Sequence, residues 1–259
     1  MITFDTRSDL YNLKRKADHR IINRIMELLD IPTGSIIADI GAGTGNYTVE
    51  LKNQGYNMIA IEPSIEMSSK CTNKSINWIN CFAENIALPS ESVDAVIAML
   101  SIHHFNNIEK ALQEMHRILR KKRVLITTFN PQTAIDRMWV FDYCPLLKKY
   151  IEEYFCEIEL LKGRIEKEFD SKVYATSYPL PYDLTDAFSA ASWRYPERFV
   201  NPEFQKAMSL FHYTDEGQYI DGIKKLKEDI LNGEWNRKYN NLLECYEYDV
   251  GYTFLNINN

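Results

Sequence analysis

The stretch Ile36 to Glu62, IIADIGAGTGNYTVELKNQGYNMIAIE, decides the fold. Ile36, Ile37, Ala38, Asp39 and Ile40 form a short, β-rich apolar run, the pattern of a strand buried on both faces. Gly41, Gly43 and Gly45 follow at once, and alternate glycines allow a sharp turn and close approach of a ligand to the backbone. Residues 45–54 then read as a helix, with Gly55 suited to stop it. Asn57 to Ile61 is a second strand, with Glu62 at its carboxyl end. Strand, glycine turn, helix and strand make the first βαβ unit of a doubly wound sheet, in which ligands bind outside the carboxyl ends of the strands. Glu62 stands roughly twenty residues after Gly41, where such folds place a carboxylate on ribose hydroxyls.

The glycine spacing separates two cofactor classes. A dinucleotide turn has the form G-x-G-x-x-G, whereas this one runs Asp39-Ile-Gly41-Ala-Gly43-Thr-Gly45-Asn46. It resembles the D-x-G-x-G-x-G motif of class I S-adenosylmethionine-dependent methyltransferases. The alternative is a structural βα turn in some other α/β protein. The resemblance continues through Pro63-Ser-Ile-Glu-Met67, similar to D-P-S-x-x-M, and through Ala83-Glu84 with Leu88-Pro89, similar to D-A-E-x-L-P. It implies that Glu62 holds the ribose, that Pro63 and Met67 lie against the adenine, and that Ala83 and Glu84 meet the adenine edge. Phe82 stands where the family often has Asp, so Glu84 or backbone carbonyls would have to serve the adenine amino group. Phe82 also reads as a core aromatic at a strand end.

Composition narrows the partners. At 259 residues and 45% hydrophobic, the chain is long enough for one full core plus an elaboration. A net charge of −6 gives no basic footprint for nucleic acid. No apolar run approaches the roughly eighteen residues of a membrane span. The N-terminus lacks the apolar core of a signal peptide, and the five cysteines are scattered and never spaced as C-x-x-C. The expectation is a cytoplasmic protein, monomer or homodimer, without nucleic acid, membrane or metal among its partners.

Working outward, Ile21, Ile22, Ile25, Leu28 and Leu29 recur at helical spacing before the first strand. The pattern Phe4-x-x-Arg7-x-x-x-Tyr11 resembles the N-terminal cap that closes over the methionine end of the cofactor, and reads equally as a frayed terminus. Strands are expected at 76–82, 92–99 and 124–129. The fourth strand delivers Leu100-Ser-Ile-His103-His104-Phe105 to the carboxyl edge of the sheet, and Asn107 is placed to cap the next helix. Most aromatic residues lie after residue 130, where helical patterns run through 146–161, 202–211, 217–231 and 236–245. Lys172–Tyr178 and Asp249–Ile257 read as the last two strands. By the resemblance, the seventh strand inserts antiparallel between the fifth and sixth.

The expected architecture is therefore α/β: a Rossmann-like, seven-stranded, mostly parallel sheet with strand 7 antiparallel and helices on both faces. Residues 1–182 with 246–259 would form the cofactor-binding core, and residues 183–245 a helical, aromatic-rich lid inserted between strands 6 and 7. The expected activity is methyl transfer from S-adenosylmethionine to an O, N or C nucleophile of a small molecule (EC 2.1.1.-). The rivals are a SAM-binding sensor or partner subunit without catalysis, and a protein or RNA methyltransferase. Cofactor contacts are assigned to Arg7, Tyr11, Asp39, Gly41, Gly43, Gly45, Glu62, Pro63, Met67, Phe82, Ala83, Glu84 and Leu100. A base is needed only if the acceptor arrives protonated. His104, and after it His103, are the candidates, since an imidazole accepts a proton near neutrality. Both also read as loop-capping residues. Trp139, Tyr143, Tyr178, Trp193 and Tyr195 could line an aromatic pocket or form the core of the lid.

Overall fold

The computed structural model describes residues 15–258. The strands are β1 (Ile36–Ile40), β2 (Asn57–Ile61), β3 (Asn77–Ile79), β4 (Ala95–Met99), β5 (Arg123–Phe129), β6 (Tyr174–Ser177), two short strands β7 (Leu180–Pro181) and β8 (Glu247–Tyr248), and β9 (Tyr252–Asn258). Seven of them form the main sheet, in the order β3-β2-β1-β4-β5-β9-β6. The pairings from β3 to β5 are parallel. β9 lies antiparallel to both β5 and β6, in register from Arg123↔Asn258 to Phe129↔Tyr252 on the β5 side. This is the Rossmann-like, seven-stranded arrangement that the sequence implies.

Alternate residues of each strand feed opposite layers. Ile37, Ala95, Ile97 and Leu125 pack on one face with Ile21, Ile25 and Leu29 of α1 (His19–Leu29). Ala38, Ile40, Val96, Ala98 and Ile126 pack on the other with Leu112, Met115 and Ile118 of the helix Ile108–Ile118 and Leu161, Ile165 and Phe169 of the helix Ile158–Phe169. Asn107 caps the first of these two helices by accepting from the Lys110 N–H at 2.9 Å. The long helical pattern expected over 146–161 is broken. Lys148–Tyr154 ends at Phe155, whose backbone is extended (φ −105°, ψ 122°), and a new helix starts at Ile158.

Between β6 and β9 the chain leaves the sheet through a two-stranded stem, β7 (Leu180–Pro181) against β8 (Glu247–Tyr248). The helices beyond it are short, among them Pro196–Val200, Ser209–His212 and Glu234–Lys238; the longest is Ile220–Leu231. Their aromatic core is specific. The fully buried Trp193 donates to the Leu180 carbonyl at 3.0 Å, and Trp139 donates to the Trp193 carbonyl at 2.6 Å. Trp139 meets Trp235 edge-on at 5.3 Å, a favoured aromatic geometry. These residues belong to the same apolar cluster as Ile37 and Ile97, so the insertion is packed onto the sheet layer. Trp193 thus ties the insertion to the stem at Leu180, and Trp139, from the segment after β5, ties that segment to Trp193.

Gly222 sets how closely the helix Ile220–Leu231 approaches its neighbour. A Cβ there would sit 2.2 Å from the Tyr143 carbonyl oxygen and 2.5 Å from Cys144 Sγ. The backbone oxygen cannot rotate away as a side chain would. Gly222→Ala is expected to destabilise the fold by about 1–3 kcal/mol, the range for overpacking, read as a lower midpoint of denaturant unfolding.

Candidate active site

The carboxyl edge of the sheet opens into a cavity of about 710 Å³. The glycine bend forms one wall. Gly41 and Ala42 donate to the Ile61 carbonyl at 2.8 and 3.1 Å, which ties the bend to the end of β2. Gly41 has φ +72°, and a Cβ there would lie 2.6 Å from Cβ of Ser101. Ser101 is itself held by donating to the Ile40 carbonyl at 2.6 Å. Gly41→Ala would therefore strain the backbone and collide with a fixed side chain. We expect a loss of about 1–3 kcal/mol of stability, measurable by thermal or denaturant unfolding.

Glu62 sits opposite the bend, 9% exposed. Its Oε2 accepts the Gly43 N–H at 2.8 Å and its Oε1 accepts the Ser64 N–H at 3.0 Å. Burial raises its pKa above the usual carboxylate value, opposed by these two N–H donors. Each oxygen keeps a further lone pair for a ligand hydroxyl. Ser64 caps the short helix Ile65–Ser69 through the Met67 N–H at 3.2 Å, which seats Met67 against the cavity.

Asp39 lies behind the bend, 2% exposed, with Oδ2 accepting the Thr48 hydroxyl at 2.6 Å and Oδ1 buried without a partner. Burial above all, and the negative charge of Glu62, push its carboxyl up to about 7 despite the Thr48 hydrogen bond. Gly45 has φ +80°, and a Cβ there would lie 2.9 Å from the Trp78 ring.

Gly41, Gly43, Glu62, Pro63, Met67, Phe82, Ala83, Glu84, Leu100, His103 and His104 all line this one cavity. Phe82 is not a core aromatic: it is 57% exposed at the cavity wall. Glu84 uses Oε1 to accept the Asn107 N–H at 3.0 Å. Leu100 adopts φ +49°, an uncommon conformation for a branched side chain, with its N–H donated to Thr127 Oγ1 at 2.8 Å. Such strain concentrates at functional sites. Arg7 and Tyr11 lie outside the described residues.

The two histidines differ. The His103 ring stacks on Phe155 at 4.3 Å, and its Nδ1 is buried with no hydrogen-bond partner. Burial, with a smaller contribution from His104, holds its pKa well below the usual imidazole range, so the ring is neutral at pH 7. His104 is half-buried, and its ring stacks towards Tyr213 at 5.8 Å.

Several cavity residues have no signal in the local sequence. Asp186, 1% exposed, accepts the Tyr47 hydroxyl at 2.9 Å and pairs with Arg15. This joins the insertion to the helix that follows the glycine bend. Phe129, Phe141, Tyr150, Phe155 and Phe188 supply the aromatic wall, and none of Trp139, Tyr143, Tyr178, Trp193 and Tyr195, read from the sequence as pocket lining or lid core, lines it. Of those, Trp139 and Trp193 are packing residues, and Tyr143 donates to Asp229 at 2.9 Å. Among the described residues, no group of three His, Cys, Asp or Glu side chains could hold a metal ion, and no helix is long and apolar enough to cross a membrane.

A family model described as a methyltransferase domain matches residues 38–127. The fold aligns with a candidate methyltransferase from an antibiotic biosynthesis pathway of Anabaena variabilis at 40% identity and TM-score 0.91, covering 96% of this chain and 100% of that one. A mouse tRNA (carboxymethyluridine(34)-5-O)-methyltransferase is 39% identical over 101 residues, which is 38% of this chain and 15% of the mouse protein. The malonyl-[acyl-carrier protein] O-methyltransferase of Yersinia pestis is 24% identical over 129 residues, 49% of this chain and 47% of that enzyme. The chain thus spans less than half the length of these two relatives, whereas the Anabaena protein is matched from end to end. Motif order, sheet topology and that full-length match agree, and the chain belongs to the class I S-adenosylmethionine-dependent methyltransferases.

Proposed function

We propose that this protein transfers the methyl group of S-adenosylmethionine to a small-molecule acceptor enclosed beneath the insertion, in the cytoplasm. The observation that carries this reading is the continuity of the cavity. One space runs from the glycine bend and Glu62 to His103 and an apolar wall built partly from the insertion. The residues fit the cofactor: a buried carboxylate with lone pairs to spare faces a bend stripped of side chains, and Asp39 brings an unpartnered oxygen behind it. When bound, S-adenosylmethionine supplies an electrophilic methyl on a sulfonium.

Glu62 would hold the ribose hydroxyls. Asp39, Gly41, Gly43, Gly45 and Leu100 would shape the seat of the methionyl portion, while Pro63, Met67, Phe82, Ala83 and Glu84 would surround the adenine. The chain's contribution to rate is then placement in a dry chamber, and orientation of this kind can supply much of the acceleration. Residues 183–245 act as the lid over the acceptor, resting on the 1–182 and 246–259 core. His103 is the group we assign as base, ahead of His104. The sequence ranks them in the opposite order, but His103 has the unpartnered, neutral nitrogen.

The test is incubation of the full chain with methyl-labelled S-adenosylmethionine and a metabolite extract. S-adenosylhomocysteine release with label in small molecules is the expected result. Binding without turnover would make the protein a sensor, and label in protein or RNA would move the acceptor to a macromolecule.

A further inference from the structure

The cavity has two unlike ends. One is lined by residues 62–67, which follow β2, and by residues 81–84, which follow β3; the other is lined by the chain after β5 and by the insertion. With Glu62 on the ribose and the methyl turned towards the insertion, the base of the cofactor is left at the first end.

That end exposes apolar surface. Ile65 is 71% and Phe82 57% exposed, and among the described residues no other exposed large apolar side chain lines the cavity. Both stand on braced backbone. Ile65 opens the helix Ile65–Ser69, which Ser64 caps at the Met67 N–H, and the Ser64 N–H is itself donated to Glu62 Oε1. Asn80 Nδ2 donates to the Glu62 carbonyl at 3.0 Å and to Ser68 Oγ at 3.1 Å, which ties the approach to Phe82 to that helix. Beyond it the Phe82 carbonyl accepts the Asn85 N–H at 3.1 Å, Glu84 accepts the Asn107 N–H, and the Ile86 N–H is donated to Glu114 at 2.7 Å. A braced loop that presents a phenyl ring to water leaves burial free energy for a bound ligand to recover, with little ordering cost on the protein side.

We propose that Ile65 and Phe82 receive the 6-amino edge of the cofactor's adenine, so that this edge is read by apolar burial at Phe82 and the chain accepts a cofactor alkylated on that nitrogen. The inference rests on the methyl-transfer reading above. An amino group turned to a phenyl ring gains no acceptor from it. Replacing its hydrogens with methyl groups therefore removes no bond at Phe82 and adds apolar area to be covered. Selectivity at the base then sits with one side chain, and a polar residue at position 82 would favour the unmodified amino group.

Calorimetry on the full chain, with S-adenosylhomocysteine and with its analogue dimethylated on the 6-amino nitrogen, tests this. Wild type should bind the analogue as tightly as the parent or up to about five-fold tighter. Phe82→Asn should reverse the order, the parent being preferred by about five-fold, as for one hydrogen bond. Phe82→Ala should weaken the parent by about ten-fold while its unfolding midpoint stays at the wild-type value, because the ring lies outside the core. A wild-type preference for the parent beyond about two-fold would overturn the proposal, since it places the amino group on a hydrogen-bond acceptor. So would an unreversed order in Phe82→Asn, or a loss below about three-fold in Phe82→Ala. If the wild-type chain binds neither compound, the methyl-transfer reading itself fails. If it binds the parent and rejects the analogue, only the reading of the base is wrong.

Discussion

Glu62→Ala is expected to weaken S-adenosylmethionine binding by about 1–3 kcal/mol, the range for losing hydrogen bonds to a charged group. Two effects act together. The variant removes the acceptor for the ribose hydroxyls, and it strands the Gly43 and Ser64 N–H groups that the carboxylate now holds from opposite sides. Those two bonds link the glycine bend to the start of the Ile65–Ser69 helix, so alanine loosens both walls of the cofactor seat. Glu62→Gln retains one oxygen and should fall between wild type and alanine. The pH dependence has a definite sign. Burial raises the Glu62 pKa in the folded protein. The ionised form, and with it cofactor affinity, should therefore be present above that raised value and be lost as pH falls through it, starting at a higher pH than an exposed glutamate would give. Calorimetry across pH measures both quantities; equal affinity for wild type and Glu62→Ala would remove the ribose assignment.

Much of this site is legible in the sequence because it is local. Asp39, the three glycines and Glu62 lie within one βαβ unit, where strand period and turn chemistry fix their relative places. The strand order follows from the family resemblance, and β9 enters between β5 and β6 accordingly. What is not legible depends on contacts between residues distant in sequence. Asp186 reaches Tyr47 across 139 positions, and no periodicity marks either residue as a partner. Trp139 and Trp193 have the composition of a binding pocket, yet their indole N–H groups are spent on the Trp193 and Leu180 carbonyls. Phe155 falls within a helical pattern, and the break in the backbone there is what places its ring in the cavity. Amphipathic periodicity records which face is apolar; it does not say whether that face meets a core or a ligand.

His103→Ala is expected to lower kcat by about 10²–10⁴-fold, the usual contribution of a positioned base, while S-adenosylmethionine affinity stays nearly intact. The residue belongs to the wall beside Phe155 and not to the carboxylate and glycine-bend cluster, so rate and cofactor binding should separate. The pH profile adds a readout that a packing role would not produce. His103 acts as a base only when neutral, and burial, aided by His104, places its pKa well below 6.5. His104 is the ionisable group that bears on the ring; Phe155 on its other side carries no charge, and Asp186 and Glu84 are bound to their own partners. With a phenolic acceptor and saturating S-adenosylmethionine, the acid limb that depends on His103 should lie below pH 6.5, separate from any limb set by Asp39 at about 7. An acid limb centred on the ordinary imidazole pKa of about 6.5 would point away from the buried ring. A wild-type rate in His103→Ala would leave its unpartnered nitrogen without a catalytic use. The sharpest comparison is between acceptors. An acceptor whose nucleophile carries no proton to remove should lose little rate in His103→Ala, whereas a phenol should lose the full factor, because only the phenol needs the proton taken.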